Sequence, residues 1–164
     1  VRMMMSALRG RGARAALLAA TLAGAGCYSP TDGSGVPRGE REVLQRNLAL
    51  WRGQGVTSYR FQYQHRCFCP PAVTDPVSIV VRGGEIVSVT SVATGQAVPA
   101  DRFEQYLTVD ALFALAQQAL DEAASVTIGY DPAYGYPARV DVDWRREIAD
   151  DEGFHQAANL QPLR

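Results

Sequence analysis

From Tyr59 the chain alternates with a two-residue period: Tyr59, Phe61, Tyr63, His65 and Cys67 fall on one side, and Arg60, Gln62, Gln64 and Arg66 on the other. A strand points successive side chains to opposite faces, so this pattern commits the segment to a half-buried strand with one aromatic and one polar face. Pro70 and Pro71 end it, because neither can donate to a sheet ladder. Two further apolar runs, residues 77–82 and 85–90, flank Gly83-Gly84. The glycines supply the positive φ angles of a tight hairpin turn and so make these runs antiparallel neighbours.

A sheet with one apolar face needs a cover, and two segments offer it. In residues 38–53, Val43, Leu44, Leu48 and Trp51 recur at helical spacing, with Pro37 before the segment and Gly53 and Gly55 after it. The second helix starts at the capping residue Thr108 and lines up Val109, Leu112, Phe113, Ala116, Ala119, Leu120 and Ala123. Residues 92–107, between the hairpin and this helix, read as irregular. Strands follow at 126–130 and 139–144 around the turn-rich loop 131–137; Val140, Val142 and Trp144 share one face and leave Asp141 and Asp143 on the solvated one. After the acidic turn 150–153, residues 154–160 are expected to add an edge strand. The order predicts an α+β fold, an antiparallel sheet of about five strands with both helices packed on one face. A helix-then-strands unit occurs twice, at 38–90 and 108–144, without residue-level similarity between the halves.

The first residues carry an address. Arg2, Arg9, Arg11 and Arg14, with no acidic residue among them, precede an apolar run of 11 residues from Ala15 to Ala25. A bilayer-crossing helix needs about 20 residues, so the run reads as the core of a cleaved signal peptide. Leu22-Ala23-Gly24-Ala25-Gly26-Cys27 resembles the lipobox of bacterial lipoproteins, although Gly24 stands where that pattern usually has Leu. The expected organisation is a signal peptide at 1–26, a flexible tether at 27–37 beginning with lipid-modified Cys27, and a single domain at 38–164. Extended, the tether spans about 35 Å.

Removing the signal leaves 12 arginines against 17 acidic residues, a net charge of −5, in a chain without lysine. Such a balance argues against nucleic acid as a partner, because phosphate neutralisation needs a basic patch. The expected partners are a membrane, through the lipid, and an envelope protein. Tyr28 rather than Asp follows Cys27, which by resemblance to known lipoproteins points to the outer membrane, facing the periplasm, in a two-membrane cell.

With Cys27 assigned to lipid, Cys67 and Cys69 have only each other as intramolecular partners. A straight strand would hold their Cβ atoms about 6–7 Å apart, against the 3.5–4.5 Å of a disulfide, so a bridge requires a bend at Phe68. A structural disulfide, a reducible redox pair, and a metal site shared with His65 are the three readings. The last would need a bulge, because His65 and Cys69 of a straight strand lie roughly 13 Å apart. The acidic residues Asp141, Asp143, Asp150, Asp151 and Glu152 have oxygen ligands suited to calcium but lack the spacing of the EF-hand loop. No metal or other cofactor is therefore expected; His65, Asp143, Asp150 and Asp151 are the side chains nearest to a ligand set. Serines without a nucleophile-elbow pattern and the absence of a phosphate-cradling loop leave no catalytic constellation, and the protein is not expected to be an enzyme. Tyr130, Tyr134 and Tyr136 form an aromatic loop that offers contact area with polar ends, or else packs over the end of the sheet.

Several of these elements occur together in a known order: Trp51 with Ser58-Tyr59, Cys67-Phe68-Cys69-Pro70, Val80-Val81-Arg82-Gly83-Gly84 with Ile86-Val87, Val109 with Leu112-Phe113, and Tyr130-Asp131-Pro132 through Gly135-Tyr136-Pro137. From about Leu44 to Leu160 the chain resembles a family of bacterial lipoproteins, domain of unknown function 6174. The resemblance implies an envelope-associated lipoprotein and transfers no catalytic residue. The leading expectation is a non-enzymatic binding or accessory module. A thiol redox or metal-handling protein using Cys67 and Cys69, and a small periplasmic inhibitor or chaperone-like domain, are the alternatives.

Overall fold

The computed structural model describes residues 38–67, 74–148 and 150–164. The signal peptide, the tether, Cys27, Phe68 and Cys69 lie outside them. Helix α1, Arg38–Gly53, buries Leu44 and Trp51. Helix α2, Val109–Glu122, buries Val109, Leu112, Phe113, Ala116, Ala119 and Leu120. Thr108 caps α2 by accepting from the amide of Ala111 at 3.2 Å. An Arg41–Asp121 ion pair and a 2.7 Å bond from Arg41 to the Leu120 carbonyl join the helices. No described helix is long and apolar enough to cross a membrane.

Six strands form one sheet: β1 Tyr59–Arg66, β2 Val77–Arg82, β3 Glu85–Ser91, β4 Ser125–Tyr130, β5 Pro137–Asp143 and β6 Glu152–Pro162. Their order is β3-β2-β1-β6-β5-β4, and each neighbouring pair is antiparallel. The α+β architecture is the expected one, with six strands in place of about five. The sequence reading errs at the C-terminus: β6 runs between β1 and β5 at the centre of the sheet, not at its edge. Its buried positions hold Gly153, His155 and Ala157, too small or polar to resemble a core strand, and only then Leu160. They suffice because the large aromatic residues of β1 already fill the layer beneath the helices. Near Asn159, whose φ is +56°, the pairing with β1 shifts by a residue, which also blurs the alternation. Within the stretch expected to be irregular, Ala100–Gln105 form a 3-10 turn.

Tyr59, Phe61 and Tyr63 are buried in a row of ring contacts. Trp51 meets Tyr59 edge-on at 5.4 Å and Tyr136 at 6.4 Å, so one indole ties α1 to both halves of the sheet. The Tyr59 hydroxyl accepts from the Val109 amide at 3.0 Å, anchoring the start of α2. The 131–136 loop closes over α1 through Gly135, at φ +77°, where an added Cβ would stand 2.8 Å from the Asn47 carbonyl oxygen. Gly135→Ala should cost about 2 kcal/mol, from the left-handed backbone and the displaced helix. Urea unfolding measures this, with Gly95→Ala, also at positive φ but with open space around it, separating backbone strain from the clash.

Candidate functional site

Antiparallel pairing places His65 of β1 directly opposite His155 of β6, both on the side of the sheet that carries the aromatic core. Their imidazoles stack at 4.1 Å between centroids, only 9° from parallel. The Tyr63 hydroxyl lies 2.9 Å from His155 Nδ1. Donation from that hydroxyl leaves the proton of a neutral His155 on Nε2. Glycine at 153 leaves room for the pair, since a Cβ there would sit 3.3 Å from His155 Nε2 and 3.6 Å from His65 Nε2. Burial, followed by the neighbouring His65, pushes the pKa of His155 down to about 4, with Asp141 acting weakly the other way. Burial also lowers His65 and raises the Tyr63 phenol. The cluster is therefore built around neutral rings at neutral pH.

Cys67 follows β1 at the same end, with its Sγ 4.0 Å from His65 Nδ1. Parallel stacked rings direct their in-plane lone pairs side by side instead of converging on one ion, so the geometry does not suit a shared metal. Among the described residues no three His, Cys, Asp or Glu side chains come together as a metal group. Of the acidic candidates, Asp143 pairs across the sheet with Glu152, Asp150 has φ +75°, and Asp151 accepts from Arg145 at 3.1 Å.

The tyrosine loop is built inward. The Asp131 carboxylate accepts from the amides of Ala133 and Tyr134 at 2.9 and 2.8 Å, and the Asp131 amide donates to the Tyr136 carbonyl at 2.9 Å. Tyr136 is only 2% exposed, while Tyr130 and Tyr134 are half-buried against the core. The loop thus fastens α1 to the sheet, and only Tyr130 and Tyr134 retain some surface.

The face of the sheet opposite the helices is different in character. It carries Gln62, Gln64 and Arg66 from β1, Phe154 and Gln156 from β6, and Arg139 and Asp141 from β5. The Arg66 guanidinium lies over the Phe154 ring at 5.7 Å, and Phe154 is 38% exposed. Arg139 donates to Asp141 along its own strand at 2.6 Å. Between the strands, Gln62, Gln64, Gln156 and Ala158 line a hollow of about 220 Å³ walled by Pro76. Such a surface offers hydrogen-bond donors and acceptors with an aromatic ring at its margin. Its polar residues were legible as one side of a strand, but the register that gathers them was not.

These features define a small α+β protein in which, among the described residues, helices cover one face of the antiparallel sheet and leave the other open. Residues 43–162 match the profile of the family of unknown function DUF6174, and the chain belongs to that family. No curated protein and no solved structure matches it.

Proposed function

We propose that this chain is a lipid-anchored, non-enzymatic binding or accessory module of the cell envelope, held through Cys27 and presenting the uncovered sheet face to another envelope component. The observation carrying the proposal is the asymmetry of the sheet: both helices pack against the aromatic side, whereas the Gln62, Gln156, Arg139 and Phe154 side is polar and has a hollow at its centre. The arginine-rich start, the apolar run and Gly26-Cys27 support the anchor. Two acyl chains, at about 0.8 kcal/mol per buried methylene, hold a protein stably at a bilayer.

Cys27→Ser should move the protein from the membrane to the soluble fraction of the envelope and remove the lipid adduct from its mass spectrum. Unchanged membrane association without an adduct would contradict the anchor. For the face, a photoreactive amino acid at Phe154 or Gln156 should give a discrete crosslinked product in intact cells, and one at Asp101, in the 3-10 turn, should not. Equal products from all three positions would rule out the open face as the docking surface.

A reducible Cys67–Cys69 pair is a second reading, supported by His65 Nδ1 at 4.0 Å from the Cys67 sulfur, where the tautomer protonated at Nδ1 would stabilise a departing thiolate. Alkylation with and without mild reductant distinguishes the cases. A pair that stays blocked in the folded protein under mild reductant is structural.

A further inference from the structure

The two edges of the sheet are finished differently. At the C-terminal end of β3, outward-facing backbone groups of Val89 and Ser91 are taken by the chain returning through residues 95–98. The Val98 amide donates to the Val89 carbonyl at 2.9 Å, the Ser91 amide donates to the Gln96 carbonyl at 2.9 Å, and Thr90 bridges to Ala97. On β4 the Ala124 amide donates to the Trp144 carbonyl at 3.2 Å, which sets the phase of the ladder with β5. Val126 and Ile128 consequently exchange bonds with Val142 and Val140, while Ser125, Thr127 and Gly129 aim their N–H and C=O groups away from β5. No hydrogen bond among the described residues engages those outward groups. Nor does Ser-Val-Thr-Ile-Gly-Tyr contain a charge or a proline, two common protections of an exposed edge.

We propose that β4 pairs antiparallel with β4 of a second copy of this chain, about a two-fold axis at Thr127. The outward positions are symmetric around that residue: Ser125 comes opposite the partner's Gly129, Gly129 opposite the partner's Ser125, and Thr127 opposite the partner's Thr127. All three pairs fall in the hydrogen-bonding phase, giving about six interstrand bonds. On the helix side Val126 and Ile128, each half-buried in one copy, face the partner's Ile128 and Val126 and continue the apolar layer. On the open side the threonines form a favourable cross-strand pair, and no like charges are opposed within the strand. This self-complementarity favours a second copy over a foreign strand. An isologous two-fold contact closes after two subunits, fusing the sheets into twelve strands. The axis stands perpendicular to the sheet, so both open faces look the same way. The inference is independent of what those faces bind.

Sedimentation equilibrium of the full chain in detergent should give a concentration-dependent species of twice the monomer mass. Thr127→Arg places like charges opposite each other, and Thr127→Pro removes an outward donor without touching the β5 ladder; both should sediment as monomers, with circular dichroism confirming the fold. Hydrogen exchange on the unaltered chain provides a check that no variant can confound. The Ser125, Thr127 and Gly129 amides should become at least tenfold better protected as concentration rises through the association range. A monomer at the highest soluble concentration, a Thr127→Arg dimer as stable as the original, or protection of these amides that ignores concentration would each overturn the proposal.

Discussion

Phe61→Ala is expected to lower the free energy of unfolding by about 3–5 kcal/mol, the range for deleting a buried aromatic ring without a replacement. Phe61 has no exposed surface and lies in β1 between Tyr59 and Tyr63, opposite Ile79 of β2. Neither neighbouring tyrosine can swing into the vacated volume without losing a bond, because the Tyr59 hydroxyl holds the Val109 amide and the Tyr63 hydroxyl meets His155. The cavity therefore stays largely open, and the loss belongs at the upper end of the range. Urea denaturation should show a lower midpoint with an unchanged slope. Gln62→Ala, one residue away on the open face, should change stability by no more than about 0.5 kcal/mol. A Phe61→Ala loss as small as that of Gln62→Ala would refute the packing described for β1.

Acidification should produce the second large effect. An unfolded histidine titrates near 6.5, whereas His155 in the folded chain is held at about 4. Its folded pKa is the lower one, so the unfolded state binds the extra proton between those values. The contribution to stability is complete above pH 6.5 and is lost as pH falls toward 4, reaching about 3 kcal/mol. His65 shifts in the same direction and loses stability with the same sign. Unfolding free energies of the original chain and His155→Gln at pH 7 and pH 4 test this. The loss between the two pH values should be smaller by about 3 kcal/mol in the variant, whatever the substitution costs at pH 7. An identical pH dependence in both proteins would mean that the histidine stack is not where the protons enter.

Local patterns carried much of the fold. The alternation from Tyr59, the Gly83-Gly84 turn and the apolar stripes of the two helices are repeated signals within single segments, and each element stands where those signals put it. The last strand was readable only as a weak edge because Gly153, His155 and Ala157 have little apolar character of their own. Their burial comes from neighbours: β1 on one side, β5 on the other and the core beneath. Likewise, Tyr130, Tyr134 and Tyr136 announced aromatic area, but nothing in their spacing distinguished an exposed loop from one clasped to α1 through Gly135.

The chain's sequence alone settled the antiparallel sheet, its two covering helices and the membership in DUF6174 that the family match bears out. Only the tertiary structure decided that β6 is central, that His65 and His155 stack, and that the two sheet edges are finished differently. The physical reason is range. Side-chain periodicity is written in consecutive residues, whereas a partner 90 positions away is selected by strand register, and register is settled by the packing of the whole sheet.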